Sequence, residues 1–185
     1  MKKRIISLGI LAAMFCLFAF SSNVFSQDKE SKSTIEVKQV DALKALVVKF
    51  DVPSKDIGPS MGKAYEKLFG FVMSNNVMPA GPPFAIYYSY DPNGNTVFEA
   101  GVPVNDTADG NDEIVYREFP AMKAVSTLYK GAYEAMEPVY GELSKYIAIN
   151  GLEMAGPTWE IYLTDPSQVT DPNDNQTIIY FPVKE

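Results

Sequence analysis

Two stretches decide the fold of this chain: Ala80-Gly-Pro-Pro-Phe-Ala-Ile-Tyr87 and Ala155-Gly-Pro-Thr-Trp-Glu-Ile-Tyr162. Five of their eight positions are identical, and a sixth is a large aromatic residue in both. Internal similarity of this kind is typical of two copies of one supersecondary unit. The sequence therefore predicts two tandem halves of related structure.

The similarity extends to both sides of these stretches. At the same spacing upstream, Tyr65-x-x-Leu68-x-x-Phe71 matches Tyr140-x-x-Leu143-x-x-Tyr146. Further upstream, Asp41-Ala-Leu-Lys-Ala45 matches Pro120-Ala-Met-Lys-Ala124, and Val102-Pro-Val104 and Phe181-Pro-Val183 close the two copies. We expect repeats of about 35–104 and 114–183.

The periodicity within each half predicts a β-α-β-β unit. Apolar residues at helical spacing predict a helix in each half (Ile57, Met61, Ala64, Leu68 and Val72; Met136, Val139, Tyr140, Leu143 and Ile147). The predicted strands are 35–50, 84–90 and 96–104, then 114–128, 158–164 and 176–183. One helix covers one face of a sheet, so two units side by side leave a groove between their helices. The expected fold class is α+β, with pseudo-two-fold symmetry and an antiparallel sheet.

The N-terminus has the pattern of a secretory signal peptide. Lys2, Lys3 and Arg4 precede an uncharged apolar run over 5–20, and Val24-Phe-Ser26 fits a cleavage site. We expect a signal peptide at 1–26, a polar linker at 27–33, the domain at 34–185 and export to the periplasm or the extracellular medium. We expect no stable membrane anchor after cleavage. A retained anchor and a lipoprotein attached through Cys16 stay open as alternatives.

The composition excludes several chemistries. The chain has no histidine, and its one cysteine lies in the predicted signal peptide, which excludes Ser-His-Asp and Cys-His catalysis, thiolate zinc and histidine-ligated haem. We therefore expect no metal and no cofactor. Losing three of sixteen basic residues with the signal leaves thirteen against twenty-three acidic residues, a net charge of about −10. This charge disfavours nucleic acid as a partner, and we expect a monomer.

The repeats resemble a known family. The strands VDALKALVV and FPAMKAVST, the run AGPTWEIYLTDP and the closing strands FEAGVPV and IIYFPV resemble the gyrase-inhibitor-like effector-binding domain, over residues 35–183. That domain occurs alone and fused to AraC-type and MerR-type regulators. The resemblance implies a small-molecule site at the groove, lined by aromatic residues and a glutamate on the next-to-last strand, here Glu160. We expect no helix-turn-helix segment in this chain, and the expected export argues against inhibition of gyrase, which is cytoplasmic.

The strand around Glu160 indicates where the ligand site lies. Side chains alternate along a strand, so Glu160 and Tyr162 share one face while Trp159 lies on the other. The equivalent strand has Ala85 in place of Glu160 and Tyr87 in place of Tyr162. If the two strands are neighbours, Glu160 faces a small residue between two tyrosines.

The predicted ligand-binding residues are Glu160, Tyr162, Trp159, Tyr87, Tyr65 and Tyr140. Glu160 could instead mark a solvated sheet face, and Trp159, Tyr65 and Tyr140 could instead be packing residues. The acidic loop 105–113 lacks the spacing of a calcium site and is interpreted as a linker.

Three functions follow as hypotheses. The first is an exported, non-catalytic protein that holds an amphipathic small molecule, neutral or cationic, with Glu160 as the anionic anchor. The second is a hydrolase of reactive electrophiles that uses Glu160 as acid or base beside a tyrosine hydroxyl. The third is a protein-binding module that pairs through its edge strands.

Overall fold

Alternating apolar residues in both halves form the strands of one antiparallel sheet. The computed structural model describes residues 34–184, so the predicted signal peptide at 1–26 and linker at 27–33 lie outside the described residues. The strands are β1 (Glu36–Val40), β2 (Leu43–Pro53), β3 (Phe84–Tyr90), β4 (Asn95–Val104), β5 (Val115–Phe119), β6 (Met122–Lys130), β7 (Thr158–Tyr162) and β8 (Gln176–Pro182). The helices are α1 (Ile57–Ser74) and α2 (Glu137–Ile149). This arrangement confirms the predicted α+β class.

The strand order follows the two repeats. The eight strands lie in the order β1-β6-β8-β7-β3-β4-β2-β5, with β7 and β3 at the centre. Equivalent strands of the two repeats therefore lie at equal distances from the β7–β3 junction. This order is compatible with the predicted pseudo-two-fold axis, which stays a prediction.

The first strand of each repeat differs from the prediction. Each is divided into two strands, because the chain changes its partner at Asp41-Ala42 and at Pro120-Ala121. β1 pairs with β6 of the second repeat, and β5 pairs with β2 of the first. Pro120 has no N–H for a ladder, which favours a break at that point. Each repeat thus supplies one edge strand to the other.

The two helices pack on one face of the sheet, each over its own repeat. α1 packs on β2 and β4 through Ala64, Leu68 and Val72, which are buried. α2 packs on β6 through Val139, Leu143 and Ile147. The central strands β3 and β7 therefore lie beneath the space between the helices. This space is the groove in which the candidate site lies.

The opposite face has an aromatic core that no helix of residues 34–184 covers. Phe84 of β3 stacks on Trp159 of β7 with centroids 5.3 Å apart. Phe119 of β5 lies edge-on to Trp159, with centroids 4.9 Å apart. The sheet therefore curls far enough for an edge strand to cover its own central strands. Within residues 34–184, no helix is both long and apolar enough to cross a membrane.

Candidate functional site

Glu160 lies at the centre of the sheet, on the face that the helices cover. Its partner across β3 is Ala85, and its partner across β8 is Ile179. Ala85 and Ile179 are fully buried, and Glu160 is 8% exposed. Ala85 puts only a methyl group opposite the carboxylate. The structure thus places Glu160 at the floor of the groove, not on a solvated sheet face.

Three tyrosine hydroxyls donate hydrogen bonds to this carboxylate. Tyr140 of α2 donates to Oε1 in a short contact, and Tyr162 donates to Oε2 at 2.7 Å. Tyr87 of β3 lies 3.4 Å from Oε2 and 3.3 Å from the Tyr162 hydroxyl. Hydrogen bonds to an ionised acceptor are stronger than neutral ones. The tyrosines therefore hold the carboxylate in one orientation.

Two further tyrosines close the aromatic wall. Tyr65 of α1 and Tyr133, in the 3-10 turn Tyr133–Ala135, both lie edge-on to Tyr162, with centroids 6.2 and 5.8 Å away. The Tyr65 hydroxyl donates to the backbone carbonyl of Phe84 at 2.8 Å. We call the resulting set the tyrosine cluster (Tyr65, Tyr87, Tyr133, Tyr140 and Tyr162). Each of its rings is half-buried, so part of the cluster borders solvent.

Burial governs the ionisation of the site. Desolvation raises the pKa of Glu160 above its ordinary value, and the hydrogen bonds from Tyr140, Tyr162 and Tyr87 oppose part of this rise. Desolvation, and then the nearby Glu160 carboxylate, raise the pKa of Tyr140 and of Tyr162. The tyrosines thus stay protonated donors at neutral pH. Once Glu160 is ionised, the site presents one negative charge among neutral rings.

The described chain offers this charge no cationic partner. Within residues 34–184, the ion pairs of Lys and Arg are with other carboxylates, and none involves Glu160. The same residues hold no group of three or more potential metal ligands. A buried carboxylate without a counter-ion is costly, and its attraction for a cation is correspondingly large.

The structure brings together five of the six predicted site residues and excludes the sixth. Glu160, Tyr162, Tyr87, Tyr65 and Tyr140 converge in the groove. Trp159 does not line it. Strand alternation turns its indole to the opposite face, where it packs between Phe84 and Phe119. As a groove residue Trp159 was a wrong prediction.

Tyr133 is the site residue that the sequence did not reveal. It follows β6 in a 3-10 turn, before α2 begins. The matching turn of the first repeat, Ser54–Asp56, has a serine in its place, so the overlay of the repeats shows no shared aromatic position. A search for aromatic residues just before each helix would have found it.

Comparison with known proteins gives one family match and several solved structures of similar fold. The model of the GyrI-like small molecule binding domain matches residues 33–184. A search of curated proteins found no match. Among solved structures, the C-terminal domain of EcmrR is 21% identical with a TM-score of 0.71, and the match covers 83% of this chain and 99% of that one. EcmrR in its DNA complex is 22% identical with a TM-score of 0.75, and the match covers 83% of this chain but only 58% of that one.

Two further solved structures are also similar. A hydrolase from Listeria innocua is 16% identical with a TM-score of 0.65, and the match covers 82% of this chain and 92% of that one. SAV2435, solved with bound tetraphenylphosphonium, is 17% identical with a TM-score of 0.60, with 82% and 94% covered. At these identities the likeness shows a shared fold. The family model spans all the described residues, and the chain therefore belongs to the GyrI-like small-molecule-binding domain family.

Proposed function

We propose that this protein binds amphipathic organic cations in the groove between its helices, with Glu160 as the anionic anchor. The observation that carries the proposal is the buried Glu160 carboxylate, oriented by three tyrosine hydroxyls and without an ion-pair partner among residues 34–184. A ligand cation that enters the groove supplies the missing counter-charge.

The tyrosine cluster suits the rest of such a ligand. Aromatic faces attract a cation by roughly 0.5–2 kcal/mol, with the larger values where water is excluded. Their edges and faces also bury apolar ligand surface at low conformational cost, since each ring has few rotatable bonds. The combination of a carboxylate and tyrosine rings therefore favours a cation with an aromatic or otherwise apolar body.

The fold similarity to SAV2435 supports this choice of ligand class. That protein was solved with tetraphenylphosphonium, a cation whose charge is surrounded by four phenyl rings. The same compound is the natural first probe for this chain. The small-molecule function of the family supports a ligand in general, and the anchor at Glu160 supports a positively charged one.

The test compares a cation with a neutral analogue on matched variants. Tetraphenylphosphonium and uncharged triphenylphosphine oxide are titrated by calorimetry into the wild type, Glu160→Gln and Glu142→Gln. Glu142 is exposed on α2, so its substitution removes the same charge without touching the groove. We expect Glu160→Gln to weaken cation binding by about tenfold or more, since one charge-assisted contact is worth about 1.5–3 kcal/mol.

Glu142→Gln should bind the cation almost as the wild type does, and triphenylphosphine oxide should bind all three proteins alike. Equal cation binding by Glu160→Gln and the wild type contradicts the anchor role. Failure of tetraphenylphosphonium and of other lipophilic cations to bind the wild type contradicts the proposed function as a whole.

The proposal includes action outside the cytoplasm, as a sensor, carrier or sequestering protein. The support is the basic and apolar pattern of residues 2–20 and the cleavage pattern at Val24-Phe-Ser26. Fusion of the full chain to a phosphatase that is active only after export should give activity, and sequencing of the mature N-terminus should begin at Gln27. A full-length protein retained in the cytoplasm contradicts this part.

Hydrolysis of reactive electrophiles is the second candidate. It is favoured by the raised pKa of Glu160 next to three hydroxyl donors, and by the fold similarity to a protein described as a hydrolase. Glu160 would take a proton from water while a hydroxyl of the tyrosine cluster donates to the leaving group. Turnover of an epoxide or activated ester that persists in Glu160→Ala would exclude this mechanism.

A further inference from the structure

A cavity lies beside Tyr133, one member of the tyrosine cluster. Its volume is about 230 Å³, and Tyr133, Glu134, Pro166 and Asn175 are among its lining residues. Ligand pockets usually measure roughly 300–1,000 Å³, so this cavity suits one group of a ligand better than a whole ligand. Tyr133 lines the cavity and lies against Tyr162, so it belongs to both places.

Asn175, which lines this cavity, carries a buried side-chain oxygen that lacks a hydrogen bond within the described residues. Asn175 is 3% exposed, and within residues 34–184 no donor reaches its side-chain Oδ1. Thr177, two residues further on and inside β8, is fully buried, and its hydroxyl is likewise unpaired within the described chain. An unpaired buried polar group costs about 1–3 kcal/mol, so Asn175 and Thr177 each call for a hydrogen-bond partner.

The first repeat has residues at the positions equivalent to Asn175 and Thr177 that need no further hydrogen-bond partner. The β2–β4 register pairs Ala45 with Pro103, and the β6–β8 register pairs Ala124 with Pro182. Counting back along β4 and β8 from these pairs, Phe98 corresponds to Thr177 and Thr96 to Asn175. The two repeats therefore carry different chemistry at the same places in the fold.

In the first repeat, one of these two positions holds a packed apolar residue and the other has its hydrogen bond. Phe98 is fully buried and stacks on Phe50 with centroids 5.3 Å apart. The Thr96 hydroxyl lies 2.7 Å from the hydroxyl of Ser54, which stands in the turn that matches the Tyr133 turn. In the second repeat, Tyr133 replaces the serine, Asn175 and Thr177 stay unpaired, and a cavity remains.

The connection after β7 is also specific to the second repeat. β3 and β4 are joined by the short turn 91–94, whereas β7 and β8 are joined by residues 163–175. Pro166 and Asn175 of this longer connection line the cavity, together with Glu134 at its exposed rim. The unpaired Asn175 oxygen and the Glu134 carboxylate are both acceptors. A group that satisfies them must donate hydrogen bonds, and a positive charge on it would be favoured.

We propose that the ligand site has a second, polar subsite at the Tyr133 end of the groove, which takes an ammonium or similar hydrogen-bond donor carried by the same ligand. This inference rests on the proposed function, because Glu160 and the tyrosine cluster hold the primary cation. The ligand class it names is an elongated lipophilic cation with a second, amine-bearing end. A ligand chain would run past Tyr162 and Tyr133 to reach Asn175.

Matched ligand pairs test the subsite. Alkyltriphenylphosphonium ions of graded chain length are compared with aminoalkyltriphenylphosphonium ions of the same length by calorimetry on the full domain. We expect the amine to bind about tenfold tighter than its alkyl twin at the chain length that reaches Asn175, because hydrogen bonds from a charged donor are worth about 1.5–3 kcal/mol.

Variants locate the effect. Asn175→Ala should abolish the advantage of the amine and leave alkyl binding unchanged, whereas Asn173→Ala, on the exposed part of the same connection, should keep both. If Asn175→Ala does not fold, Asn175→Thr, which copies the first repeat, replaces it. The proposed subsite is wrong if the alkyl and aminoalkyl ions bind equally well at every chain length. It is also wrong if the aminoalkyl ion still binds more tightly to these variants.

The two levels of failure are separable. If the alkyl ions bind through Glu160 but the amine adds nothing, the subsite is wrong and the proposed function stands. If the alkyl ions do not bind the wild type, the proposed function is wrong and the subsite falls with it.

Discussion

A single difference between matched strands creates the candidate site. Ala85 and Glu160 face each other across β3 and β7, and the repeats otherwise present similar residues there. Alanine on one side presents only a methyl group, and glutamate on the other supplies the charge. The site is therefore asymmetric although the sheet around it repeats. Its behaviour depends on how the protein treats one buried carboxylate.

The raised pKa of Glu160 predicts a pH-dependent stability. Between the ordinary value of 4.5 and the higher value in the folded state, the folded protein holds a proton that the unfolded chain releases. The unfolding free energy that Glu160 contributes is therefore full below about pH 4.5 and falls as the pH rises through the folded-state pKa. Urea unfolding across pH 4–8 should show this fall in the wild type relative to Glu160→Gln; parallel curves would contradict it.

Cation binding should depend on pH in the opposite sense. Only the ionised carboxylate attracts a cation, so the affinity for tetraphenylphosphonium should rise through the same pH range in the wild type. In Glu160→Gln the affinity should not change with pH. The pKa values of the neighbouring tyrosines lie above 10, so none of these tyrosines titrates between pH 4 and 8. Calorimetric titration over pH 4–8 measures both.

The hydroxyl of Tyr140 should stabilise the ionised site. Tyr140→Phe removes the donor to Oε1 and leaves the ring, so at neutral pH we expect a loss of about 1–3 kcal/mol in unfolding free energy. The matched control is Tyr146→Phe on the same helix, whose hydroxyl is not part of the tyrosine cluster. Equal effects of the two substitutions in urea unfolding would show that the Glu160 contact contributes nothing.

At the level of elements, a glycine lets the central strands carry aromatic residues. Gly101 of β4 pairs with Phe84 of β3, and a Cβ at Gly101 would lie 2.3 Å from the Phe84 ring atom Cζ. Phe84 in turn stacks on Trp159 and cannot move away without disturbing that core. The aromatic face of the sheet therefore depends on a missing side chain in the neighbouring strand.

Gly101→Ala should destabilise the protein by about 1–3 kcal/mol, as overpacking of a core does. The matched change Gly70→Ala, inside α1, meets no atom within 4 Å and should stabilise by about 0.5–1 kcal/mol, because alanine has the better helix propensity. Thermal and urea unfolding measure whether each substitution lowers or raises the unfolding free energy. A neutral Gly101→Ala would mean that Phe84 can repack.

At the scale of the whole molecule, the exchange of edge strands joins the two repeats. β1 belongs in sequence to the first repeat but completes the sheet of the second, and β5 does the reverse. The central β3–β7 pair adds a third connection. Neither half can therefore unfold without exposing a strand edge of the other.

We accordingly expect a single cooperative unfolding transition despite the two-repeat sequence. Calorimetric and van't Hoff enthalpies should agree, as they do for two-state domains of this size. Deletion of residues 34–42, which removes β1, should lower the protection from hydrogen exchange of β6 amides in the second repeat. Two separate transitions, or an effect confined to the first repeat, would contradict this description.

The sequence alone determined the features that depend on local pattern. Alternation and helical spacing predicted the two helices, the β3 strand from Phe84 to Tyr90 and the shared face of Glu160 and Tyr162, because side-chain direction follows directly from backbone period. The match of the two repeats also placed Ala85 against Glu160 on the condition that their strands are neighbours. These inferences need no knowledge of distant contacts.

Only the tertiary structure decided what depends on packing between distant residues. The division of the first strands, the edge strands exchanged at β1 and β5, and the place of Trp159 in a core capped by Phe119 result from curling of the sheet, which no local pattern encodes. The same holds for Tyr133 and for the unpaired Asn175, which become neighbours only after β6, β8 and the 163–175 connection pack together. Backbone period fixes which way a side chain points, whereas long-range packing decides what it meets there.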